Sequence, residues 1–216
     1  MGKAESLVHA AGAAAGRILA AAAQLFAESG FDAVSMNAIA ERAGVSKANV
    51  FHHFSSKNEL YLAVLRAACA RSGAQLDNLE SERGSFAERL RHYAAAHLDS
   101  ILHNSEISRL ILREVLENDA QRSKELAEQV FGANFARLAA MMRAGQACGE
   151  LREELDPGMM ATLLVAADIF FFQSRAVSRH LPDVKHFADD PAAYSAMLMD
   201  ILLHGIAGKN KKGKRA

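Results

Sequence analysis

The chain of 216 residues contains only three prolines, no tryptophan and two cysteines. Two cysteines are too few for a disulfide-stapled scaffold, and Cys69 and Cys148 lack the CxxC spacing of zinc or redox sites. The scarcity of proline, together with abundant alanine and leucine, favours helices over sandwiches or barrels. Because 50% of the residues are hydrophobic, the chain can bury a sizeable core. We therefore expect an all-α globular protein.

Long apolar runs are also missing. The longest are residues 19–23 and residues 159–167, the second of which Thr162 interrupts, and both are far short of the roughly 20 residues that a bilayer requires. The alanine-rich stretch at residues 10–15 runs into an amphipathic helix that is predicted to start near Gly16, which leaves no room for a signal-peptide core and cleavage site. We expect a cytoplasmic protein that does not enter a membrane.

Signatures of catalysis are absent as well: the chain has no GxGxxG, P-loop, HExxH or GxSxG motif. His92, His97 and His103 lie in one segment with Asp99 and invite a metal site. Their spacings of five and six put them on different faces of a helix, unlike the i, i+4 pairs that bind metals. We expect no enzymatic activity, no cofactor and no metal.

Charge is balanced overall, with 25 basic and 25 acidic side chains, but it is unevenly distributed. Residues 1–57 carry five basic and four acidic side chains, and residues 58–208 carry 15 and 21. Residues 209–216 carry five basic side chains and no acidic one. This pattern predicts an acidic body between two ends that can approach a polyanion. The basic tail is predicted to be disordered, either as an arm that reaches DNA or as a solubilising terminus.

The first quarter of the chain shows helical periodicity interrupted by glycine. A helix with an apolar face is predicted to end at Gly30, where a left-handed residue can stop it. Ser35 and Ser46 are predicted N-caps of two further helices, which Gly44 separates. A helix, a glycine-containing turn of about three residues and a second helix match a helix-turn-helix unit, whose second helix enters the DNA major groove.

Three motifs at fixed spacing identify the region more specifically than the pattern of a helical hairpin does. IAERAGVSK occupies residues 39–47, Phe-His-His-Phe residues 51–54 and Ser-Lys-Asn-Glu-Leu residues 56–60. Over roughly residues 14–65 the chain resembles the N-terminal domain of TetR-family transcriptional repressors. The resemblance implies a three-helix helix-turn-helix DNA-binding domain followed by a helical effector-binding and dimerisation domain. The predicted division is a flexible arm at 1–15, the DNA-binding domain at 16–62, the second domain at 63–208 and the basic tail at 209–216.

The resemblance also implies which side chains face double-stranded DNA. Asn49 suits an adenine edge, Lys47 a guanine edge or a phosphate, and Ala48 a thymine methyl group. A cation at Lys57 opposes the dipole of its own helix, which is easier to understand if a phosphate lies beside it. His53 is either a DNA contact or a packing residue next to Phe54. The full set of candidate DNA-binding residues is Ser35, Ser46, Lys47, Ala48, Asn49, Phe51, His52, His53 and Lys57.

Two residues depart from the pattern of the family. Phe51 stands where a tyrosine is usual, so one hydroxyl that would bond a phosphate is missing. Ala38 stands where an acid usually completes a capping box. Either change is expected to weaken DNA affinity by about 1 kcal/mol.

The second half of the chain is predicted to form helices at 85–103, 106–118, 120–147, 157–181 and 192–207, with a loop at 182–191. Its last two helices are apolar on more than one face and must bury this surface against something. The resemblance implies a homodimer with a four-helix interface, and the alternative is a core within one subunit. The candidate interface residues are Leu163, Phe171, Met197, Leu198 and Ile201.

The resemblance further implies a pocket for an unknown small-molecule effector between the middle helices. Each candidate lining residue can equally be plain core: Phe86, Tyr93, His97, Leu110, Phe135, Met141, Met142, Phe170 and Gln173. We expect a repressor that binds a palindromic operator as a dimer and is released by its effector. The alternatives are a related DNA-binding protein that activates transcription, or one that acts through a protein partner without a small effector.

Overall fold

The computed structural model describes residues 2–81, 83–116 and 120–205, with side chains from Gly12 onward except at 71–72 and 78–81. Every regular element in these residues is helical, as expected of an all-α protein. The α-helices are α1 (Gly2–Ala33), α2 (Met36–Ala43), α3 (Lys47–His53), α4 (Lys57–Ser81), α5 (Phe86–His103), α6 (Ser105–Leu116), α7 (Ala120–Leu126), α8 (Gly132–Ala147), α9 (Pro157–Ser178), α10 (Lys185–Asp189) and α11 (Pro191–His204). A π-helix at Ala127–Phe131 joins α7 to α8.

Within the described residues the chain forms two compact units. The first comprises Met1–Ala74 and Leu102–Ala136, and the second comprises Gln75–Ile101 and Arg137–Ala216. This division differs from the boundary after residue 62 that the sequence suggested, because α6 and α7 belong with the N-terminal helices. The basic tail at 209–216 lies outside the described residues.

The first unit is built around one apolar core. Leu110 of α6 and Leu126 of α7 are buried in the same cluster as side chains from α1 to α4. Each fully buried side chain of this size contributes about 1.5–3 kcal/mol through the area removed from water. Core residues of α1 to α4 without solvent exposure are Ile18, Ala22, Phe26, Ile39, Val50, Leu60, Tyr61 and Leu65.

Helix α1 differs from the prediction at one end and matches it at the other. It begins at Gly2 rather than near Gly16, so residues 2–15, expected as a flexible arm, are helical. Their alanine content explains this, since alanine has the highest helix propensity. At the other end Gly30 has φ 80° and ψ 173°, which interrupts the helix at the predicted stop before a last turn ends at Ala33.

The turn between α2 and α3 forms as the sequence predicts. The Ser35 and Ser46 hydroxyl oxygens accept the N–H groups of Ala38 and Asn49, each at 3.1 Å. Gly44 is left-handed, with φ 64° and ψ 39°, and its N–H donates to carbonyls of α2. The Val45 N–H reaches back to the Ala40 carbonyl at 3.0 Å. This bond pattern closes the helix end and redirects the chain into α3.

The second unit has its own core, formed by α5, α8, α9 and α11 together with Leu76 of α4. Asp156 and Asp190 cap α9 and α11 ahead of a proline in the first turn of each helix. The predicted helices are present with shifted ends, but two details are new. The π-helix interrupts the predicted helix at 120–147, and α10 lies in the segment predicted as a loop, where burial of Ala188 favours a helical turn.

Replacing Gly30 with alanine should lower the free energy of unfolding by more than about 1 kcal/mol, because an L side chain is strained at positive φ. The added Cβ would also lie 2.8 Å from a guanidinium nitrogen of Arg113. Urea unfolding measures the loss. Gly16→Ala is the matched control: nothing lies within 4 Å of its Cβ position, so that variant should be slightly more stable than the wild type. Equal stability of Gly30→Ala and the wild type would contradict the positive φ of Gly30.

Candidate nucleic-acid interface

Helix α3 exposes one face and buries the other. Lys47, Ala48, Phe51 and His52 are exposed and follow the i, i+1, i+4, i+5 spacing of one helix face. Val50 on the opposite side has no exposure and fixes the helix on the first core. The Lys47 ammonium lies 5.9 Å from the centre of the Phe51 ring. The result is a rigidly held helix that presents a cation, an imidazole, a methyl group and an aromatic ring to its surroundings.

Asn49 and His53 are turned further inward than expected. Asn49 is half-buried, and its Oδ1 is buried without a hydrogen-bond partner. In this conformation its amide does not present the acceptor and donor pair that matches adenine. His53 is also half-buried, with its ring 6.4 Å from that of Phe54 and 5.2 Å from that of His52. This position fits the packing alternative for His53 better than a direct contact.

The two capping serines remain exposed beside this face. Each hydroxyl oxygen accepts one backbone N–H, so the hydroxyl proton of Ser35 and of Ser46 is left to donate elsewhere. A hydroxyl donor near a helix start is a common partner for a phosphate oxygen.

Lys57 is placed differently from the phosphate contact that its position suggested. Its ammonium nitrogen donates to the carbonyls of Phe31, Asp32 and Val34 at 2.8, 3.3 and 3.0 Å. It also lies 4.3 Å from the centre of the Phe31 ring. An ammonium group has three N–H donors, and all three are directed at the end of α1. The geometry therefore gives Lys57 a structural role in holding α1 against α4.

An aromatic cluster supports this corner of the first unit. The Phe26 and Tyr61 rings are edge-to-face at 4.8 Å, and those of Phe31 and Tyr61 lie 4.9 Å apart. The Arg122 guanidinium of α7 lies 5.1 Å from the Phe31 ring and 5.4 Å from the Tyr61 ring. Phe31 is thus approached by two cations, those of Lys57 and Arg122.

A buried polar network lies next to these rings. The Tyr61 hydroxyl donates to the Glu114 carboxylate at 2.7 Å, and Arg122 Nε lies 3.3 Å from the other oxygen of that carboxylate. Burial, followed by the bond to Glu114, raises the pKa of Tyr61 and keeps it a neutral donor. Arg122 also donates to Asn58 Oδ1 at 2.5 Å and pairs with Glu125 at 3.2 Å. Sequence reasoning missed this network because nothing local distinguishes its polar residues from those of a solvated helix face.

Two family models match the chain. The model described as bacterial regulatory proteins, tetR family, covers residues 18–64, and the one described as tetracyclin repressor-like, C-terminal domain, covers residues 87–202. The chain belongs to the TetR family. It has the helix-turn-helix domain and the helical C-terminal domain of that family, and the relatives that it matches are named as transcriptional regulators rather than enzymes.

Sequence identity and fold similarity to several relatives show how close this chain is to other members of the family. The chain is 40% identical over 122 residues to the transcriptional activator FasR of Mycolicibacterium smegmatis, an alignment covering 53% of this chain. It spans about half of the length of FasR, with 51% covered. The regulator UidR of Escherichia coli is 26% identical over 157 residues, which cover 69% of this chain and 74% of UidR. The fold matches that of FadR from Bacillus subtilis in complex with stearoyl-CoA, with a TM-score of 0.71, 18% identity and coverage of 88% and 98% of the two chains.

The residues expected to line an effector pocket in this TetR-family chain are divided between the two units. Four of them, Phe86, Tyr93, Met141 and Met142, lie in the core of the second unit, and His97 is buried in that unit. Leu110 instead belongs to the core of the first unit, since α6 packs there. Phe135, Gln173 and Phe170 are exposed, Phe170 to 72%. Their helices turn these three side chains out of the core, so a lining role for them stays a prediction that the buried side chains of the second unit do not share.

The expected interface residues of the TetR-family regulator divide in a similar way. Leu163, Met197 and Ile201 are exposed apolar side chains and Leu198 is half-buried. Phe171 is only 6% exposed and stacks on Tyr194 at 4.1 Å, so it belongs to the interior of its own subunit. Helix α9 also carries an exposed apolar stripe at seven-residue spacing, which consists of Leu163, Phe170 and Val177, with Met159 one turn before it. Of these residues, only Leu163 was predicted from the sequence to lie in the interface.

One of the described helices, α9, is long and apolar enough by length and composition to cross a membrane. Its inner face carries Asp168, a carboxylate without solvent exposure, beside the buried Leu164 and Phe171. A charged group at the middle of the helix is costly in a bilayer. The composition of α9 is that of a helix with one face in a protein core and an apolar outer face.

Lys57→Met should lower the free energy of unfolding by about 1–3 kcal/mol, because three carbonyls at the end of α1 lose a charged donor. The slope of log affinity against log salt for double-stranded DNA should stay as in the wild type. Lys47→Met is the matched control, since Lys47 is exposed on α3. It should leave stability unchanged and reduce the salt slope by about one. Urea unfolding measures the stability, and filter binding at several salt concentrations measures the salt slope. A reduced slope for Lys57→Met would show that Lys57 contacts a phosphate after all.

Proposed function

We propose that this TetR-family regulator binds a palindromic operator as a homodimer, with α3 in the major groove, and that a small-molecule effector changes its affinity for the operator. The observation that carries the proposal is the exposed face of α3, on a helix whose other side is fixed in an apolar core. A helix held in this way keeps its side chains at fixed positions relative to base edges. Binding to DNA places the protein in the cytoplasm.

The side chains of α3 divide into base-reading and phosphate-binding groups. Lys47 suits a guanine edge or a phosphate, and Ala48 suits the methyl group of thymine. His52 donates to a phosphate or a base acceptor, more strongly when protonated, and Phe51 contributes an apolar surface. Ser35 and Ser46 donate their hydroxyl protons to phosphate oxygens. In this assignment Asn49 contacts DNA only after its side chain rotates outward.

The homodimer rests on the outer faces of α9 and α11. The apolar stripe of α9, formed by Leu163, Phe170 and Val177, and the exposed Met197 and Ile201 of α11 leave large side chains in water. Contiguous apolar surface of this kind is characteristic of a protein interface. A dimer also has a functional reason, since two recognition helices about 34–36 Å apart read successive major grooves on one side of DNA.

The effector is proposed to bind in the second unit and to be largely apolar. Its core contains Met141 and Met142, whose thioether side chains adapt to varied ligands. The similarity in fold to FadR in complex with stearoyl-CoA makes a fatty acyl-CoA the first effector to test. Such a ligand releases DNA only to the extent that it binds the conformation without DNA affinity better than the DNA-binding one. A tenfold change in DNA affinity needs a difference of about 1.4 kcal/mol.

Activation of transcription is the second candidate function, because the relative FasR is named an activator. The two functions share operator binding and differ in the effect of the bound protein on transcription. A run-off transcription assay with purified polymerase separates them.

Selection from genomic fragments followed by footprinting tests the proposal. The expected result is a short palindrome protected on one side of the duplex, with occupancy that falls when stearoyl-CoA is added. Lys47→Ala serves as the control that should lose the footprint while remaining folded. Retention on no fragment, even at low salt, would overturn operator binding. A footprint that stearoyl-CoA leaves unchanged would remove acyl-CoA as the effector.

Phe170→Glu should convert the homodimer to monomers that lose operator binding, since a charge replaces an apolar side chain at the centre of the proposed interface. Val115→Glu is the matched control, because Val115 is also an exposed apolar residue but lies on α6, in the first unit. That variant should remain a dimer. Sedimentation equilibrium measures the mass, and a stable Phe170→Glu dimer would remove α9 from the interface.

A further inference from the structure

Asp168 is the most deeply buried acid in the described part of the chain, with no solvent exposure. It lies on the inner face of α9 together with Ala161 and Leu164, which belong to the core of the second unit. Carboxylates are almost never fully buried unless they are paired, because transfer out of water penalises the charge. A fully buried acid in this core therefore needs a physical reason.

The pairing of Asp168 is only half complete. Its Oδ2 lies 2.7 Å from Nδ1 of His97, a buried residue of α5. Its Oδ1 is buried and has no hydrogen-bond partner. A buried acceptor without a donor destabilises the fold, and the destabilisation is larger when the group is charged. Burial raises the pKa of Asp168, while the hydrogen bond and charge of His97 act in the opposite direction.

Aromatic rings surround this pair. The Tyr93 and His97 rings stack at 5.7 Å, and the Phe171 and Tyr194 rings stack at 4.1 Å. Burial raises the pKa of Tyr194 to about 12, and the negative charge of Asp168 adds to that shift. The same two causes raise the pKa of Tyr93, so both phenols lie within electrostatic range of the carboxylate.

Tyr194 does not supply the donor that Oδ1 lacks, because its hydroxyl donates to the Ala167 carbonyl at 2.8 Å instead. The core of the second unit, to which Ala161 and Leu164 of the same helix belong, consists mainly of apolar side chains. Two of them, Met142 and Met199, are flexible thioethers that can change rotamer to admit an apolar group.

We infer that Asp168 Oδ1 is the polar recognition point of a ligand site in the second unit, and that it takes a mainly apolar ligand that presents an N–H or O–H donor, and no negative charge, at this point. The site deepens the proposed effector binding and rests on it. His97 acts as the positioning residue, since its bond to Oδ2 orients the carboxylate. A ligand that presents a free carboxylate at this point is rejected by repulsion between like charges.

Three ligands of equal chain length separate these chemistries in the full-length protein. Decanamide carries an N–H donor, methyl decanoate has none, and decanoate is an anion. By isothermal titration calorimetry the wild type should bind decanamide about tenfold or more tightly than methyl decanoate, because only the amide satisfies Oδ1. Decanoate should bind more weakly than decanamide.

Two substitutions assign the preference to Asp168. Asp168→Leu removes the acceptor, so decanamide and methyl decanoate should bind with similar affinity. Asp168→Asn keeps the shape and removes the charge, so decanoate should bind about tenfold more tightly than it does to the wild type. Asp200→Asn is the matched control, because Asp200 is an exposed acid of the same unit, bonded to His204 at 2.9 Å. It should leave all three affinities unchanged.

Three outcomes would overturn the inference: a wild type that binds the amide and the ester equally, a wild type that binds none of the three compounds, or an Asp168→Asn variant without improved decanoate binding. The last comparison remains decisive if Asp168→Leu does not fold. Salt-sensitive binding of the same preparations to double-stranded DNA is measured in parallel. If the wild type does not bind DNA, the proposed operator function is refuted. The relative affinities for the three ligands test only the role of Asp168.

Discussion

The ammonium group of Lys57 fastens the end of the first helix to the start of the fourth, and the position of the recognition helix depends on this contact. Helix α1 ends at Ala33, so the carbonyls of Phe31, Asp32 and Val34 lie where the regular backbone hydrogen bonds of the helix stop. Lys57 supplies three charge-assisted hydrogen bonds to them. A cation is unfavourable at the start of α4 but favourable at the end of α1, where the helix dipole is negative. Since α2 and α3 lie between these two points in the chain, the contact closes the segment that carries them.

Phe31 connects this contact to α6 and α7. Its ring lies between the cations of Lys57 and Arg122, and Arg122 is in turn bonded to Glu114 of α6. Breaking a buried ion pair by moving one partner leaves an uncompensated charge, which costs several kcal/mol. A displacement of α7 relative to α1 therefore has to carry Phe31 and the end of α1 with it. This explains why α6 and α7 form one compact unit with the helix-turn-helix, although they follow it by some forty residues of chain.

The features that the sequence predicted well are those encoded by neighbouring residues. The caps at Ser35 and Ser46 and the left-handed Gly44 are local signals, and the structure has all three. The partners of Lys57 lie more than twenty residues away in the sequence. Its position at the start of α4 therefore showed that a positive charge there is unfavourable, but not that distant backbone carbonyls stabilise this charge. The buried and exposed faces of α9 could not be predicted from the sequence, because the helix is apolar on all sides. Periodicity therefore does not distinguish the buried Phe171 from the exposed Phe170.

In the proposed function, the two faces of α9 link ligand recognition to assembly. Asp168 faces the interior of its unit, and Phe170, two residues later and about 200° around the helix, faces outward. An α-helix moves as a rigid element over a few turns, since its backbone bonds are internal. A ligand that draws Asp168 toward itself or displaces the neighbouring core therefore also shifts Leu163, Phe170 and Val177. If those side chains form the contact between two subunits, a ligand bound at Asp168 alters that contact through α9 itself, and no additional pathway within the second unit is needed to couple ligand binding to assembly.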